Sequence, residues 1–340
     1  MKRLTRARYW MTLAVLFGLM IVSVSFGLLS GPSALAPADV VNALLDSHGV
    51  GAIHDIVLRV RLPRVALALL VGASLATSGV VFQALLHNPL ADPYVLGISG
   101  GAALAGITML TFGAAAGFGA AAVPPAAFAG SVVATLGLYA VAGVGGRVSA
   151  TSLLLTGVVF NSFASAAIVF LASVSGLADG ARIFLWLIGN LSSTAISASG
   201  LVAGFLALGL GVALVLARSL NLLALGDETA ESLGVASERH KRWLLAATAL
   251  MVGAAVSVAG LVGFVGLIVP HLLRIVIGAD HRLLVPGAAL AGGAFLVVCD
   301  TVARTMLGGR ELPVGAVTAM VGGPLFLWLL RRSQQRVVAP

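Results

Sequence analysis

The chain has 340 residues, of which 59% are hydrophobic and only 9% charged, and its formal net charge is +8. Soluble globular proteins carry roughly a quarter charged residues, so charge this sparse cannot cover a water-facing surface and most of the chain must be solvated by lipid. The composition therefore excludes an ordinary soluble domain. The basic residues stand at the ends of apolar segments, which indicates membrane topology and not nucleic-acid binding.

Apolar segments of about 20 residues, the length that crosses a bilayer, recur along the whole chain. Backbone groups in lipid must be satisfied internally and the alternation of an outer-membrane barrel is missing, so we predict helical spans. The prediction is an all-α polytopic membrane protein in which residues 1–340 form a single transmembrane domain. The ten expected spans are 11–30, 63–86, 92–112, 123–143, 151–175, 194–217, 242–259, 261–277, 283–306 and 314–331.

Orientation follows from the lysines and arginines, which accumulate on the cytoplasmic side of membrane proteins. The apolar run from Met11 follows a basic N-terminus, and we interpret it as a retained first span and not as a cleaved signal peptide. With both termini in the cytoplasm, 14 of the 20 basic residues lie inside. Two loops are long, residues 31–62 outside and residues 218–241 inside.

The inner loop 218–241 contains a short amphipathic segment bracketed by Gly226 and Gly234. We expect Asp227 to cap a helix that extends to Leu233, with acidic residues in its first turns and leucines on one side. A rigid amphipathic helix of this kind suits docking into a groove of another protein. A helix lying passively at the lipid interface fits the same pattern, and the pattern alone leaves both interpretations open.

The outer side carries a minority of arginines that need an explanation. Arg59, Arg61 and Arg64 crowd the entry to span two, and Arg304 ends span nine with Asp300 one turn before it as a helix-face partner. Exposed arginines here could receive acidic residues of a soluble partner and steer its approach. From the pattern alone, contact with lipid headgroups or snorkelling of the side chains is the favoured explanation.

Helix breakers interrupt several spans. Pro89 and Pro93 separate spans two and three, Pro270 lies in span eight, and residues 322–324 (Gly-Gly-Pro) are expected to interrupt span ten. Irregular backbone at membrane depth lines a cavity or is buried in protein. Charge within the spans is almost absent, and apart from Asp92 at the first position of span three, Asp300 is the one acid. Ion-coupled carriers keep intramembrane acids or bases, so the sequence argues against a secondary carrier.

One short motif has the pattern of an enzyme. Residues 97–100 read Gly-Ile-Ser-Gly, and pairing of Ser99 with His271 would give an intramembrane serine protease. In a chain rich in glycine this match is weak. The six histidines show no metal-ligand spacing, and no nucleotide-binding loop of the G-x-x-x-x-G-K-[ST] type occurs. Any ATP must therefore be bound by a partner.

Several segments, taken together and in order, resemble the permease subunits of the iron-chelate and cobalamin ATP-binding-cassette (ABC) importers, the FecCD type. The resemblance covers nearly the whole chain. The matching segments are RLPR (61–64), QALLHNPLADPYVLGISGGA (83–102), WLIGNLS (186–192), ALGDETAESLGV (224–235), GFVGLIVPHLLR (263–274), DHRLLVPG (280–287), DTVAR (300–304) and ELPVGAVTAMVGGPLFLWLL (311–330).

The resemblance implies a homodimer of ten-span permease subunits in the bacterial inner membrane, with the translocation path at the dimer axis. It also implies two cytoplasmic ABC ATPase subunits, which use ATP and Mg²⁺, and a periplasmic substrate-binding protein. The chain itself would bind no cofactor and perform no chemistry. The permease halves would rock as ATP closes the ATPase pair, so that access alternates between the two faces.

Residues carried over from the resemblance fall into three groups. The binding-protein docking residues would be Arg61, Arg64 and Arg304, with Arg59 an added candidate. Asn88 and Leu90 resemble one half of a cytoplasmic gate, and Thr151 resembles the other. The segment expected to couple to the ATPase comprises Leu225, Gly226, Asp227, Glu228, Ala230, Glu231, Leu233 and Gly234.

The substrate is the least determined feature. Arg182, just before the WLIGN segment, could face the outer cavity and favour an anionic ligand such as haem or a ferric siderophore. The cobalamin permeases that the sequence resembles are neutral at this position. We therefore expect an iron chelate and keep cobalamin as the alternative.

Overall fold

The computed structural model describes residues 5–46, 51–113, 115–144, 147–191, 196–307 and 311–338. Almost all of this part of the chain is helical. The helices are α1 Arg6–Leu29, α2 Pro37–Leu45, α3 Ala52–Asp55, α4 Leu62–Leu85, α5 Ile98–Phe112, α6 Val123–Ala142, α7 Ala150–Val174, α8 Leu177–Ile188, α9 Ile196–Val215, α10 Ala217–Leu223, α11 Asp227–Ser232, α12 Ser237–Ala259, α13 Val265–Ile277, α14 His281–Thr305 and α15 Val314–Val338.

Short irregular elements complete the chain. A π-helical segment, Ile56–Arg61, joins α3 to α4, and a 3₁₀ turn, Ala120–Ala122, precedes α6. Between α6 and α7, strand β1 (Gly143–Val144) pairs antiparallel with strand β2 (Arg147–Val148), and no other strand occurs in the described residues.

Several helices begin and end where capping chemistry places them. The side chain of Thr5 accepts the backbone N–H of Arg8 at the start of α1, and Ser149 caps α7 in the same way. Helix α12 ends at Ala259, and its C-cap Gly260 has a φ of +67° that suits glycine, so the break expected between spans 242–259 and 261–277 is confirmed.

Ten apolar helices stand at the positions of the ten predicted spans. Six are long and apolar enough to cross a membrane, and α9 with α10 forms a seventh candidate that is bent by 63°. The apolar parts of α5, α13 and α15 are shorter. The helical class of the prediction is confirmed, whereas the number of helices that cross the bilayer stays a prediction.

Helix α4 occupies the centre of the bundle. Nearly all its side chains are buried, and it packs against α14, α13, α12 and α9. Gly72 lets α4 approach α14 closely, because a Cβ at this position would lie 2.2 Å from the carbonyl oxygen of Gly292. Gly79 has the same role against Gly266 of α13, where the corresponding distance is 1.9 Å. Small residues at such crossings are typical of helix packing in lipid.

Some predicted boundaries were wrong. Residues 322–324 do not interrupt the last helix, because α15 continues through Pro324 to Val338. The third span was predicted to begin at residue 92, but α5 begins at Ile98 because residues 86–97, with their two prolines, form turns. Four short helices, α2, α3, α8 and α10, lie in segments that were expected to be loops.

Candidate functional site

An arginine cluster lies at the N-terminal end of α4. Arg64 contacts Asp300 of α14 at 3.0 Å through Nη2 and Glu311 at 2.8 Å through Nη1. Arg304 contacts the same Asp300 at 3.1 Å, which confirms the predicted helix-face partner. The Asp300 side chain is fully buried, so one carboxylate neutralises parts of two guanidinium groups in a water-poor environment.

Arg61 is held differently, by backbone carbonyl groups. Its guanidinium donates hydrogen bonds to the carbonyl oxygens of Leu28 at 2.7 Å, Leu29 at 3.1 Å and Ser33 at 2.5 Å. These bonds satisfy carbonyl groups at the end of α1, which have no partner within the helix. Arg61 therefore fixes the segment that follows α1 against the N-terminal end of α4.

The expected exposure of these arginines was wrong for three of the four. Arg61, Arg64 and Arg304 are only 2%, 9% and 3% exposed, while Arg59 is exposed and pairs with Asp55 at 3.1 Å. The reason is that Glu311 and the α1 carbonyl groups are distant in sequence, so their contacts could not be foreseen. A docking role for the four arginines stays a prediction.

The 225–234 segment lies at the opposite end of α4, about 36 Å away for a helix of this length. It forms the short helix α11 between Gly226 (φ +112°) and Gly234 (φ +84°). Leu225 and Leu233 are 66% and 59% exposed, and Ala230 is buried. Glu228 and Glu231 are also exposed. The segment therefore presents exposed apolar and acidic side chains at this end of the bundle.

Asp227 was predicted to cap this helix, and that prediction was wrong. The cap position is Gly226, and Asp227 is the first helical residue. Its carboxylate contacts the buried Nζ of Lys241 at 2.5 Å. Lys241, on α12, also donates to the carbonyl oxygen of Val148 in β2 at 3.2 Å and lies 3.4 Å from Glu238.

Sequence reasoning missed Lys241 as a functional candidate. It is one of only two lysines in the chain and follows the amphipathic segment directly, which was the available signal. Its burial depends on Asp227 and on β2, whose positions the sequence did not give.

The predicted gate residues lie at this same end of the bundle. Asn88 accepts the backbone N–H of Leu90 at 2.9 Å, which fixes the turn after α4. Before it, His87 has a φ of +50°, and its Nε2 lies 2.7 Å from the carbonyl oxygen of Leu223 in α10. Thr151 is exposed in the first turn of α7, directly after the β2 strand that Lys241 contacts.

A second contact joins α10 to α14. The side-chain amide of Asn221 donates to Asp280 at 3.0 Å and accepts the backbone N–H of His281 at 2.9 Å. Hydrogen bonds from Arg282, followed by those from Asn221, hold the pKa of Asp280 down at about 2 despite partial burial. Asp280 therefore stays ionised and caps α14 at any physiological pH.

Arg182, on α8, lines a cavity of about 840 Å³. The cavity lies between α8 and the ends of α5, α6, α9 and α12, and its walls are mostly apolar, with Phe128 and Trp186 among them. This arrangement joins one cationic group to a large apolar surface. Such a site can take an amphipathic anion.

Ser99 and His271 do not form a catalytic pair in the part of the chain that the structure describes. The Ser99 hydroxyl is buried and has no hydrogen-bond partner. An activated serine needs a base within hydrogen-bond reach, so the geometry gives no support to a protease.

The long apolar helices of the bundle define a class, the multi-pass helical membrane proteins. Residues 19–332 match the FecCD transport family, and the chain belongs to that family. It is therefore an importer permease of the ABC transporter class.

The relatives agree with this assignment. The chain is 44% identical to the cobalamin import system permease protein BtuC of Halobacterium salinarum over 82% of this chain and 74% of that protein. It is 43% identical to the hemin transport system permease protein HmuU of Yersinia pestis over 84% of this chain and 86% of that protein. A solved structure of an inward-facing putative metal-chelate type ABC transporter superposes with a TM-score of 0.82 at 29% identity, covering 95% of this chain and 99% of that one.

Proposed function

We propose that this chain is the membrane subunit of an ATP-driven importer that moves an iron chelate, haem or a ferric siderophore, from the periplasm to the cytoplasm. The observation that carries the proposal is α11, a rigid helix that projects between two glycines at the end of the bundle opposite the arginine cluster. A helix with exposed leucines and glutamates fits a groove on a cytoplasmic ATPase.

The proposed assembly is a homodimer of ten-span subunits in the bacterial inner membrane, with both termini in the cytoplasm. Two ABC ATPase subunits would bind α11 from each copy, and a periplasmic binding protein would meet the arginine end. ATP and Mg²⁺ would be bound by the ATPases and not by this chain.

Alternating access then follows from differential binding. A ligand moves an equilibrium between two conformations only as far as its affinities for them differ. Closure of the ATPase pair around ATP would favour one position of α11, and the helices that α11 contacts would move with it. The predicted gate residues Asn88, Leu90 and Thr151 lie in short segments next to the helices that α11 contacts. Movement of those helices would therefore open or close the cytoplasmic end of the translocation path.

The substrate proposal depends on Arg182 and its cavity. Mostly apolar walls with one guanidinium favour a flat or bulky anion over a neutral ligand of equal size. Cobalamin is the second candidate, favoured by the similarity to the cobalamin permease of Halobacterium salinarum.

Truncation of the projecting leucines tests the coupling role. We expect the double variant Leu225→Ala/Leu233→Ala to weaken binding of the ATPase subunits by roughly two to three orders of magnitude, because each buried leucine contributes about 2 kcal/mol to an interface. The measurement is co-purification of the complex followed by an ATPase assay. Leu45→Ala, 81% exposed on α2 at the arginine end, is the matched control. Full capture and uptake with both leucines removed would contradict the proposal.

Neutralisation of Arg182 tests the substrate. We expect Arg182→Gln to lower haemin-stimulated ATPase activity of the reconstituted complex severalfold, because the anionic carboxylates lose their counter-charge. Cyanocobalamin, which lacks those carboxylates, serves as the second probe. Stimulation by cyanocobalamin alone, unchanged by the substitution, would replace the iron chelate with cobalamin and leave the importer assignment intact.

A further inference from the structure

Helix α11 is linked to both predicted gate segments, to one by a side-chain contact of its own and to the other by a contact of α10, the helix that precedes it in the chain. The first contact runs through Lys241, which is 5% exposed. Its Nζ lies 2.5 Å from Asp227 in the first turn of α11 and 3.2 Å from the carbonyl oxygen of Val148. Val148 ends β2 two residues before α7 begins, and Thr151 lies in the first turn of that helix.

A second polar contact strengthens the first route. The carboxylate of Glu238, on the first turn of α12, accepts the backbone N–H of Val148 at 3.4 Å and lies 3.4 Å from Lys241. The backbone of β2 is therefore held at both its N–H and its carbonyl group by side chains of α12. Displacement of β2 relative to α12 breaks both bonds.

The second route leaves α11 through α10. The carbonyl oxygen of Leu223, at the end of α10, accepts a hydrogen bond from Nε2 of His87 at 2.7 Å. His87 precedes Asn88, the first gate residue of the turn. Its backbone has a φ of +50°, a left-handed conformation that histidine and asparagine adopt more readily than most residues.

The two routes differ in strength. Separation of Asp227 from Lys241 would leave the buried ammonium group with only the more distant carboxylate of Glu238, at 3.4 Å, as its counter-charge. This loss is costly in a buried position, so Asp227 and Lys241 are expected to move together. The His87 contact is a hydrogen bond of an exposed residue, and such a bond shifts an equilibrium only severalfold. Loss of either contact should therefore release one gate segment and leave the other attached.

We propose that α11 moves the two gate segments through two separate links, Lys241 to the β2–α7 turn and Leu223 to His87. Lys241 and His87 are thus positioning residues, which act through the segments they hold and touch no substrate. The inference rests on the proposed function, because it assumes that an ATPase moves α11.

The test measures each gate segment independently, in the complete complex with its ATPase subunits. In a Cys299→Ala background, single spin labels are placed at three exposed positions, Ser232 on α11, Leu155 on α7 and Pro89 in the turn after α4. In the dimer each label pairs with its copy, and electron–electron double resonance gives the distance with and without ATP and Mg²⁺.

Three variants are compared. Lys241→Met removes the buried cation and keeps an unbranched apolar stem. His87→Asn keeps a residue suited to the left-handed backbone but is too short to reach Leu223. Arg239→Met, an exposed cation on the same turn of α12, is the matched control.

We expect each variant to reduce the ATP-dependent distance change at one gate segment and to leave the change at the other segment intact. Lys241→Met should abolish at least half of the ATP-dependent shift at Leu155 and keep the shifts at Pro89 and Ser232. His87→Asn should reduce the shift at Pro89 severalfold and keep that at Leu155. Unchanged shifts in both variants, or loss of all shifts in either one, would overturn the proposal.

Failure of the proposed function gives a different result. If the unsubstituted complex shows no ATP-dependent shift at Ser232, α11 does not respond to an ATPase, and the coupling role itself is wrong. If Ser232 shifts with ATP but neither variant selectively reduces the shift at its own gate segment, the two links are refuted and the coupling role of α11 is not.

Discussion

Asp300 shows how single residues at the arginine end balance charge. Three guanidinium groups, those of Arg61, Arg64 and Arg304, lie within a cluster whose carboxylates are Asp300 and Glu311. Carbonyl groups of the α1 end compensate Arg61, and Asp300 serves the other two arginines. Each buried cation is thus fixed in place by partners inside the protein.

Substitution of Asp300 tests this balance. We expect Asp300→Asn to destabilise the protein by about 3–5 kcal/mol, because Arg64 and Arg304 would remain buried without their shared anion. Thermal unfolding of the detergent-solubilised protein measures the effect as a clear fall in Tm. Asp55→Asn is the control, since the Asp55–Arg59 pair is exposed and contributes little. Equal Tm values for the two variants would show that the charge of Asp300 does not stabilise the protein more than that of the exposed Asp55.

Helix α4 shows how packing is encoded at the scale of an element. Its side chains are buried almost throughout, so an even hydrophobic pattern, with no polar face, was to be expected of a central helix. Lipid gives no hydrophobic drive for helices to associate, so contact area and close approach decide the packing. Glycines supply the close approach to α13 and α14.

A methyl group at Gly72 should separate two helices. Gly72→Ala would place Cβ 2.2 Å from a backbone oxygen of α14, and neither backbone can move without loss of packing elsewhere. We expect a marked fall in Tm and in the monodisperse fraction on size-exclusion chromatography. Gly18→Ala on α1, where no atom lies within 4 Å, should leave both unchanged or slightly raise Tm. If both variants behave alike, α4 and α14 are not packed as described.

The sequence predicted helices well and contacts poorly. Apolar length located the helices of all ten spans, and glycines located the ends of α11, because these signals are local. The burial of Arg64 depends on Glu311, 247 residues away, and that of Lys241 depends on β2. Helix α8 was not predicted, because the pattern of a short apolar segment between two spans does not distinguish a helix from a loop.

At the scale of the whole molecule, contacts between loops sort them into two groups. The turn after α4, β2, the 225–234 segment and the start of α14 are joined through His87, Lys241 and Asn221. The end of α1, the start of α4 and the segment before α15 are joined through Arg61 and Arg64. The first group contains only loops predicted to be cytoplasmic, and the second only loops predicted to be outside. This partition favours the ten-span topology.

Cysteine accessibility tests that topology directly. In a Cys299→Ala background, Ser232→Cys should react with a membrane-impermeant maleimide only after spheroplasts are permeabilised, because α11 belongs to the group of loops richer in basic residues. Phe118→Cys, on the loop before α6 and 55% exposed, should react in intact spheroplasts. Reaction of both before permeabilisation would mean that the number of spans between residues 118 and 232 is even and not odd. Reaction of Ser232→Cys but not of Phe118→Cys in intact spheroplasts would mean that the protein has the opposite orientation in the membrane. Helix α11 could then not bind a cytoplasmic ATPase.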